Sequence, residues 1–374
     1  MPKKQNKTKL FLLILLPIIS LLSGCEFKDI DKDVFVSMIG IDFSGDDDKP
    51  YKISLKLYVP TSSFKQSPEP EYSYISKTGE TLTEAIRILE TYSDKELEFG
   101  HTKLIVIGEE LLKEKKAEEL LDFFLRRPEI QLISWVAVGK PSAEEVIKMA
   151  PQGENAAYPA LFNYFDGIGT ESQYIVTTYL FDFARKIKES GVDTILPIIE
   201  IKKEESHFEV NKSLVLTDDG EPHELGIYST LLVNMILETV EVADLFVKQE
   251  GHYFFAKINS IKSKYKVNIL DNNQLELDIK IHLNGYITES IKPLKAEELK
   301  YYNQLFVMEG EENFVEALSE LTKKGLDPIG FGLDYKARTW HNKRMTDEEW
   351  KEAYKNAKIK VEVIPGLKST GAIQ

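Results

Sequence analysis

Two kinds of hydrophobic periodicity alternate along the chain and predict strands and helices in turn. Residues 34–43 are rich in β-branched and aromatic side chains, and residues 51–59 alternate apolar with polar positions. Both patterns are typical of strands, and the loop SGDDDKP between them could join them as a hairpin. Thr81 and Glu84 then form a capping-box pattern before apolar residues at i, i+3, i+4 and i+7, which predicts a helix with one buried face.

The next segments alternate strand and helix. The apolar run 103–108 predicts a strand, residues 110–127 a helix that a proline ends, and residues 131–139 a second strand. Ser142 and Glu145 repeat the capping-box pattern and open another helix. This order predicts a βαβ unit with parallel strands.

The hydrophobic stretch 224–247 has two interpretations. One is a membrane-spanning segment, but Asn234 and three acidic residues interrupt the stretch, and charge at the centre of a bilayer is costly. We therefore favour a buried helix that passes into a strand. Three strands between residues 253 and 287, divided near residue 260 and at an Asp-Asn-Asn turn, predict an antiparallel sheet with one wet face. A helix over 296–324 and a strand over 357–365 complete the pattern.

These elements predict an α+β fold of several domains, with mixed and antiparallel sheets flanked by helices. We place a signal segment at 1–24, an N-terminal domain at 25–200, a C-terminal α/β domain at 206–366 and a tail at 367–374. The N-terminal domain could itself comprise two subdomains, divided near residue 150.

The first 24 residues have the pattern of a secretion signal. Four lysines precede an uncharged run, 10–22, which is short for a membrane-spanning helix of about 20 residues. The run ends in Leu22, Ser23, Gly24 and Cys25, and Cys25 is the only cysteine. This looks like a lipobox, in which the peptidase recognises the three preceding residues and Cys25 carries diacylglycerol and fatty acid such as palmitate. The alternative is an ordinary signal peptide with a chance cysteine.

Charge and cysteine content exclude several other classes. The 374-residue chain has a formal net charge of -14, and removal of the four N-terminal lysines leaves 43 basic against 61 acidic residues, or -18. An acidic chain is a poor partner for nucleic acid, because phosphate contacts need clustered lysine and arginine. A single cysteine allows neither an intramolecular disulfide nor a cysteine-based metal site.

No sequence motif points to catalysis, a cofactor or a metal. The chain has no phosphate-binding glycine loop, no HExxH and no GxSxG, and its six histidines lack the spacing of metal ligands. We therefore predict that the protein is not an enzyme. An aromatic segment, with Tyr158, Phe162, Tyr164 and Phe165, could either contact a partner or pack inward.

Three blocks stand in order along the chain. The first is the lipobox with DVFVSMIGIDFS, the second is GHTKLIVIGEELLKE with LLDFFLRRPEIQLISWVAVGK, and the third is KKGLDPIGFG at 323–332. Together they resemble the Ger(x)C family, the lipoprotein C subunits of spore germinant receptors. The chain departs from the family pattern twice. Glu26 and Phe27 stand where a tryptophan commonly follows the cysteine, and Ile329 replaces the first phenylalanine of Asp-Pro-Phe-Gly-Phe-Gly.

The resemblance implies a lipid-anchored, non-catalytic subunit that joins two polytopic membrane subunits, one A-type and one B-type. It implies a position on the outer face of the inner spore membrane, where the receptor detects small nutrients and starts germination. No cofactor and no nucleic-acid partner are expected. The alternative function is a solute-binding lipoprotein of a transporter, which would need two similar lobes around a hinge and a cleft.

Overall fold

The computed structural model describes most of the chain after the signal-like segment. The described residues are 32–58, 72–114, 117–151, 159–166, 172–202, 204, 207–217, 220–270, 274–340 and 344–370. The predicted lipobox lies outside the described residues.

Thirteen strands form two sheets in these ranges. In chain order, β1 to β13 are Asp33–Phe43, Tyr51–Tyr58, Tyr72–Gly79, Glu96–Glu98, Leu104–Gly108, Trp135–Lys140, Thr194–Lys202, His207–Leu216, Pro222–Leu225, Ala243–Gln249, His252–Ile269, Leu275–Ser290 and Lys358–Leu367.

Nine α-helices accompany the strands within the same ranges. In chain order, α1 to α9 are Leu82–Glu90, Glu109–Lys113, Ala117–Leu125, Ala143–Lys148, Leu180–Lys188, Ile227–Ile236, Leu299–Lys324, Phe331–Arg338 and Asp347–Lys355. The α+β class predicted from the sequence is therefore confirmed.

The first sheet has nine strands, in the order β3-β2-β1-β5-β6-β7-β8-β9, with β4 beside the start of β1. β1 and β2 form the predicted antiparallel hairpin, and β5 and β6 are parallel, as the βαβ pattern predicted. β8 and β9 also belong to this sheet. The sheet thus continues to Leu225, beyond the residue 200 at which the sequence analysis ended the N-terminal domain, because β8 pairs with β7.

The central strands of this sheet are buried on both faces. Every residue of β5 is buried, as expected for a parallel strand with helices on either side. One face packs against α1, α3 and α5, and the other against α4 and residues 161–165 of the aromatic segment. The predicted caps are present: Thr81 Oγ1 accepts the Glu84 N–H (3.1 Å), and Ser142 Oγ accepts the Glu145 N–H (3.1 Å).

The sequence analysis predicted the wrong number of elements in two places. Residues predicted as one helix form α2 and α3, with residues 115–116 between them outside the described set. Residues predicted as two strands, 253–259 and 261–270, form the single strand β11, which pairs with β12 from Phe254 to Ile269. The break expected near residue 260 is instead a register shift between Ile258 and Ser260, so the strand bends without ending.

The second sheet has the order β10-β11-β12-β13, with β12 and β13 parallel. Its core packs against α6, α7, α8 and α9 and includes Val215 and Leu225 of the first sheet, so the two sheets share buried contacts. Gly310 lets α7 approach β13, since a Cβ there would lie 3.3 Å from a methyl carbon of Val363.

The hydrophobic stretch 224–247 contains the ten-residue helix α6 and then β10, as favoured from the sequence. Residues 230–236 of the helix are buried. Of the helices in the described ranges, none has the length and apolar character needed to cross a bilayer.

Candidate functional site

Asp42, in the first of the three blocks, holds the N-terminus of α4. One carboxylate oxygen accepts the Ala143 N–H (2.7 Å) and the other accepts the Glu144 N–H (2.9 Å). Only 8 % of Asp42 is exposed, and this burial raises the pKa of its carboxyl although the two N–H groups oppose the shift. The carboxylate satisfies helix N–H groups that have no partner within the helix.

Glycines from the first two blocks make room for this contact. A Cβ at Gly108 would overlap Oδ1 of Asp42, and a Cβ at Gly139 would lie 3.0 Å from the Cα of Ala143. A Cβ at Gly40 would lie 3.2 Å from the backbone of Ala143. The two blocks thus converge on one helix–strand joint at the carboxyl ends of β1, β5 and β6.

Asp327, in the third block, caps α8 in the same way but more completely. One carboxylate oxygen accepts the N–H groups of Gly330 (2.8 Å) and Phe331 (3.0 Å), and the other accepts the Gly332 N–H (2.8 Å). Burial raises the pKa of Asp327 to about 6, while these three bonds and the charge of Lys186 pull it downward. The carboxyl is therefore buried and fully engaged in backbone capping.

The same loop joins the two halves of the protein. Asp193, which precedes β7, accepts the Asp327 N–H (2.6 Å) through its carboxylate and donates its own N–H to the Asp327 carbonyl (2.8 Å). The Leu333 N–H donates to the Gly191 carbonyl (2.7 Å). Gly191 has φ +93°, and a Cβ there would lie 2.8 Å from the backbone of Gly332. Glycine at 191 therefore permits both the turn and the close approach.

A groove with a cavity volume of about 370 Å³ opens between α6, α7, β10 and β11. Leu232, Leu245 and Phe255 are among its apolar lining residues. Tyr228 on α6 also lines it and is 76 % exposed. This arrangement offers apolar contact to a side chain that enters from solvent.

Acidic side chains form the rim of this groove. Asp244 stands on β10, and Glu309, Glu316 and Glu320 stand on α7 at a spacing that places them on one helix face. Glu320 pairs with Lys324, whereas Asp244 and Glu316 have no ion pair with another described residue. The groove therefore combines an apolar floor with negative charge.

Side chains already occupy the outer edge of β10, which is the edge strand of its sheet. Gln173 accepts the Asp244 N–H and donates to the Asp244 carbonyl (3.4 Å). Glu309 accepts the Lys248 N–H (2.9 Å). These bonds satisfy backbone groups that an added strand would need, so the groove suits a helix better than a strand.

The lipobox and the aromatic segment are the other places that the sequence singled out. The lipobox residues Leu22, Ser23, Gly24 and Cys25 are not among the described residues, so their role stays a prediction. Phe162 and Phe165 are buried beside Trp135 on the first sheet, and the Tyr164 hydroxyl donates to the Phe208 carbonyl (3.2 Å), which confirms inward packing. Tyr158 lies outside the described residues. The described residues contain no cluster of three His, Cys, Asp or Glu side chains placed to hold a metal.

The described residues thus form an α+β protein with two sheets. Asp42 and Asp327 cap helices, and the loop at Asp327 bonds to Asp193 and so joins the two sheets. Residues 26–201 match the spore germination protein N-terminal domain, and residues 218–371 match the spore germination B3/GerAC-like C-terminal domain. The chain belongs to the Ger(x)C family of spore germination proteins.

Relatives and a solved structure agree with this assignment. The chain is 22 % identical to spore germination protein B3 of Bacillus subtilis (strain 168), over 75 % of each chain. It is 23 % identical to spore germination protein KC of the same organism, over 98 % of this chain and 96 % of the relative. The crystal structure of the GerBC protein has the same fold, with a TM-score of 0.54 and 14 % identity over 88 % of this chain and 96 % of GerBC.

Proposed function

We propose that the chain is the lipid-anchored, non-catalytic C subunit of a spore germinant receptor, required for nutrient-triggered germination. The observation that carries this proposal is the match of both spore germination domains, in order, between residues 26 and 371. Acyl chains on Cys25 hold the subunit at the outer face of the inner spore membrane. The subunit acts through contacts with its partners. These contacts hold the receptor in an arrangement that responds to small nutrients.

Its partners in this proposal are two polytopic membrane subunits, A-type and B-type, and the groove beside α7 receives a segment of one of them. The occupant is an amphipathic helix with lysine or arginine beside its apolar face. Apolar side chains fit the floor, and basic side chains face the rim acids Asp244, Glu309, Glu316 and Glu320. The same rim would repel an anionic lipid surface.

The alternative function is a solute-binding lipoprotein of a transporter. The groove volume favours it, because small-molecule sites commonly range from about 300 to 1,000 Å³. That class also needs two similar lobes, whereas one sheet here has nine strands and the other has four. The receptor subunit is therefore the better supported function.

A deletion strain tests the proposed function. In a strain whose only nutrient receptor contains this chain, its deletion is expected to abolish the fall in optical density and the dipicolinate release that nutrients trigger. Expression of the intact chain restores both. The control is a germination trigger that bypasses nutrient receptors, which must act equally on both strains. An unchanged nutrient response, together with tight solute binding by the purified chain, would favour the transporter alternative.

A further inference from the structure

Large apolar side chains are exposed at one edge of the first sheet. Among the described residues before α6, five large hydrophobic residues are exposed: Tyr92 (54 %), Leu125 (40 %), Leu132 (46 %), Ile133 (64 %) and Phe181 (46 %). We call them the amino-edge patch, because strand directions place them where the parallel strands begin. Apolar residues scattered singly need no explanation, but five gathered at one edge do.

The strand register locates three members of the patch. β1, β4, β5 and β6 are parallel, with Asp33 beside Glu96 and Leu104 beside Trp135. Leu132 and Ile133 directly precede β6. The Phe181 N–H donates to the Leu132 carbonyl (2.9 Å), so the start of α5 lies against the same loop.

Chain direction places the other two members at the same edge. α1 follows the end of β3 and precedes the start of β4, so Tyr92, two residues after α1, lies near the start of β4. α3 likewise follows β5 and precedes β6, and Leu125 is its last residue.

The same edge is the nearer one, along the chain, to the predicted lipid anchor. Cys25 is eight residues before Asp33, the first residue of β1, and eight residues span at most about 29 Å. The opposite end of β1, Phe43, lies ten residues further along the strand, which adds about 33 Å. Of the two edges of the sheet, the amino edge is therefore the one that the predicted anchor can bring to the bilayer with the shorter length of chain.

We propose that the amino-edge patch rests on the bilayer and inserts Leu132, Ile133 and Phe181 among the lipid headgroups. This inference builds on the lipid anchor of the proposed function. Apolar burial drives the contact, because the mature net charge of -18 gives the whole chain no attraction to anionic lipid. Aromatic side chains such as Phe181 and Tyr92 suit this interface. The docked edge would orient the groove relative to membrane-embedded partners.

A single reporter thiol tests the contact. Acylation consumes the thiol of Cys25, the only cysteine, so Ile133→Cys gives the acylated full chain one reactive site. A polarity-sensitive fluorophore at position 133 is expected to shift to the blue in spore membranes, to be quenched by nitroxide-labelled lipid, and to lose quenching by iodide. Phe181→Cys is expected to behave alike. Asp47→Cys, exposed in the β1–β2 loop at the opposite edge, is the matched control and should remain quenched by iodide.

Each other outcome overturns the inference in a recognisable way. If the chain is membrane-bound but position 133 stays open to iodide, the docking inference fails and the anchor stands. If position 133 is shielded from both iodide and lipid quencher only when the polytopic subunits are present, a protein covers the patch instead of lipid. If the chain is unacylated and soluble, the anchor fails, and the docking inference fails with it.

Discussion

Replacement of Asp327 by alanine is expected to lower the free energy of unfolding at pH 7 by about 3 kcal/mol. The change leaves the N–H groups of Gly330, Phe331 and Gly332 without their acceptor in a buried site. It also weakens the joint with Asp193, because the backbone N–H and carbonyl of residue 327 that bond to Asp193 belong to the loop that the Asp327 carboxylate holds in place. Urea denaturation of the purified chain measures the loss. Asp47→Ala, at an exposed loop position, is the control and should change stability by less than about 0.5 kcal/mol.

The same carboxyl predicts a pH dependence with a definite sign. Burial raises the pKa of Asp327 from its usual 3.8 to about 6, so the folded protein binds this proton more tightly than the unfolded chain. The part of the stability that is linked to this proton is fully present below pH 3.8 and is lost as the pH rises through 6, a change of roughly 3 kcal/mol. The three cap bonds to the ionised carboxylate remain above that pH. In Asp327→Asn the proton-linked part is absent. The free energy of unfolding of the chain with Asp327, minus that of Asp327→Asn, should therefore fall from pH 4 to pH 6. A constant difference would contradict a raised pKa.

Replacement of Cys25 by serine is expected to abolish both acylation and processing at the lipobox. Serine lacks the sulfur that would carry diacylglycerol, and each acyl CH2 group contributes about 0.8 kcal/mol to membrane binding. Mass spectrometry should show that the unsubstituted protein begins at an acylated Cys25. The Cys25→Ser variant should retain residues 1–24 and carry no acyl group.

A conservative change in the same motif controls this experiment. Ser23→Ala keeps a small residue before the cysteine and should leave acylation and processing unchanged. An unmodified Cys25 thiol in the intact chain would contradict the lipid anchor and would favour an ordinary signal peptide.

Local patterns predicted much of the fold because they depend on nearby residues. The Thr81 and Ser142 caps, the β1–β2 hairpin and the parallel β5–β6 pair follow from spacing and propensity. The continuous strand β11 was missed, since a register shift in a strand resembles a strand boundary in sequence. The place of β8 and β9 in the first sheet was missed for another reason: strand partners are not encoded in the alternation of one strand.

The sequence indicated the residues of the helix caps, but it did not indicate which distant residues they contact. The glycine and aspartate motifs were recognised from the sequence, yet the contact between Asp193 and Asp327 joins residues 134 positions apart. Asp193 follows Gly191, and only the positive φ of that glycine indicates a special turn. The groove was missed because its acids lie on β10 and α7 and its floor on α6, β10 and β11. Such surfaces arise from packing between distant elements.

If this chain works as a subunit of a membrane receptor, its membrane partners should co-purify with it. A charge-reversed variant, Asp244→Lys with Glu316→Lys, adds a test of the groove, because both acids are exposed on its rim. Asp47→Lys with Glu114→Lys reverses two exposed acids elsewhere and serves as the matched control.

The measurement is mass spectrometry of proteins that co-purify with the tagged full-length chain from solubilised membranes of sporulating host cells. We expect two polytopic membrane proteins to co-purify with the unchanged chain and with the control, and recovery of one of them to fall at least about tenfold with the groove variant. Equal recovery with the groove variant would contradict the groove assignment alone. Recovery of ATPase and permease subunits, or of no membrane partner, would contradict the receptor function itself.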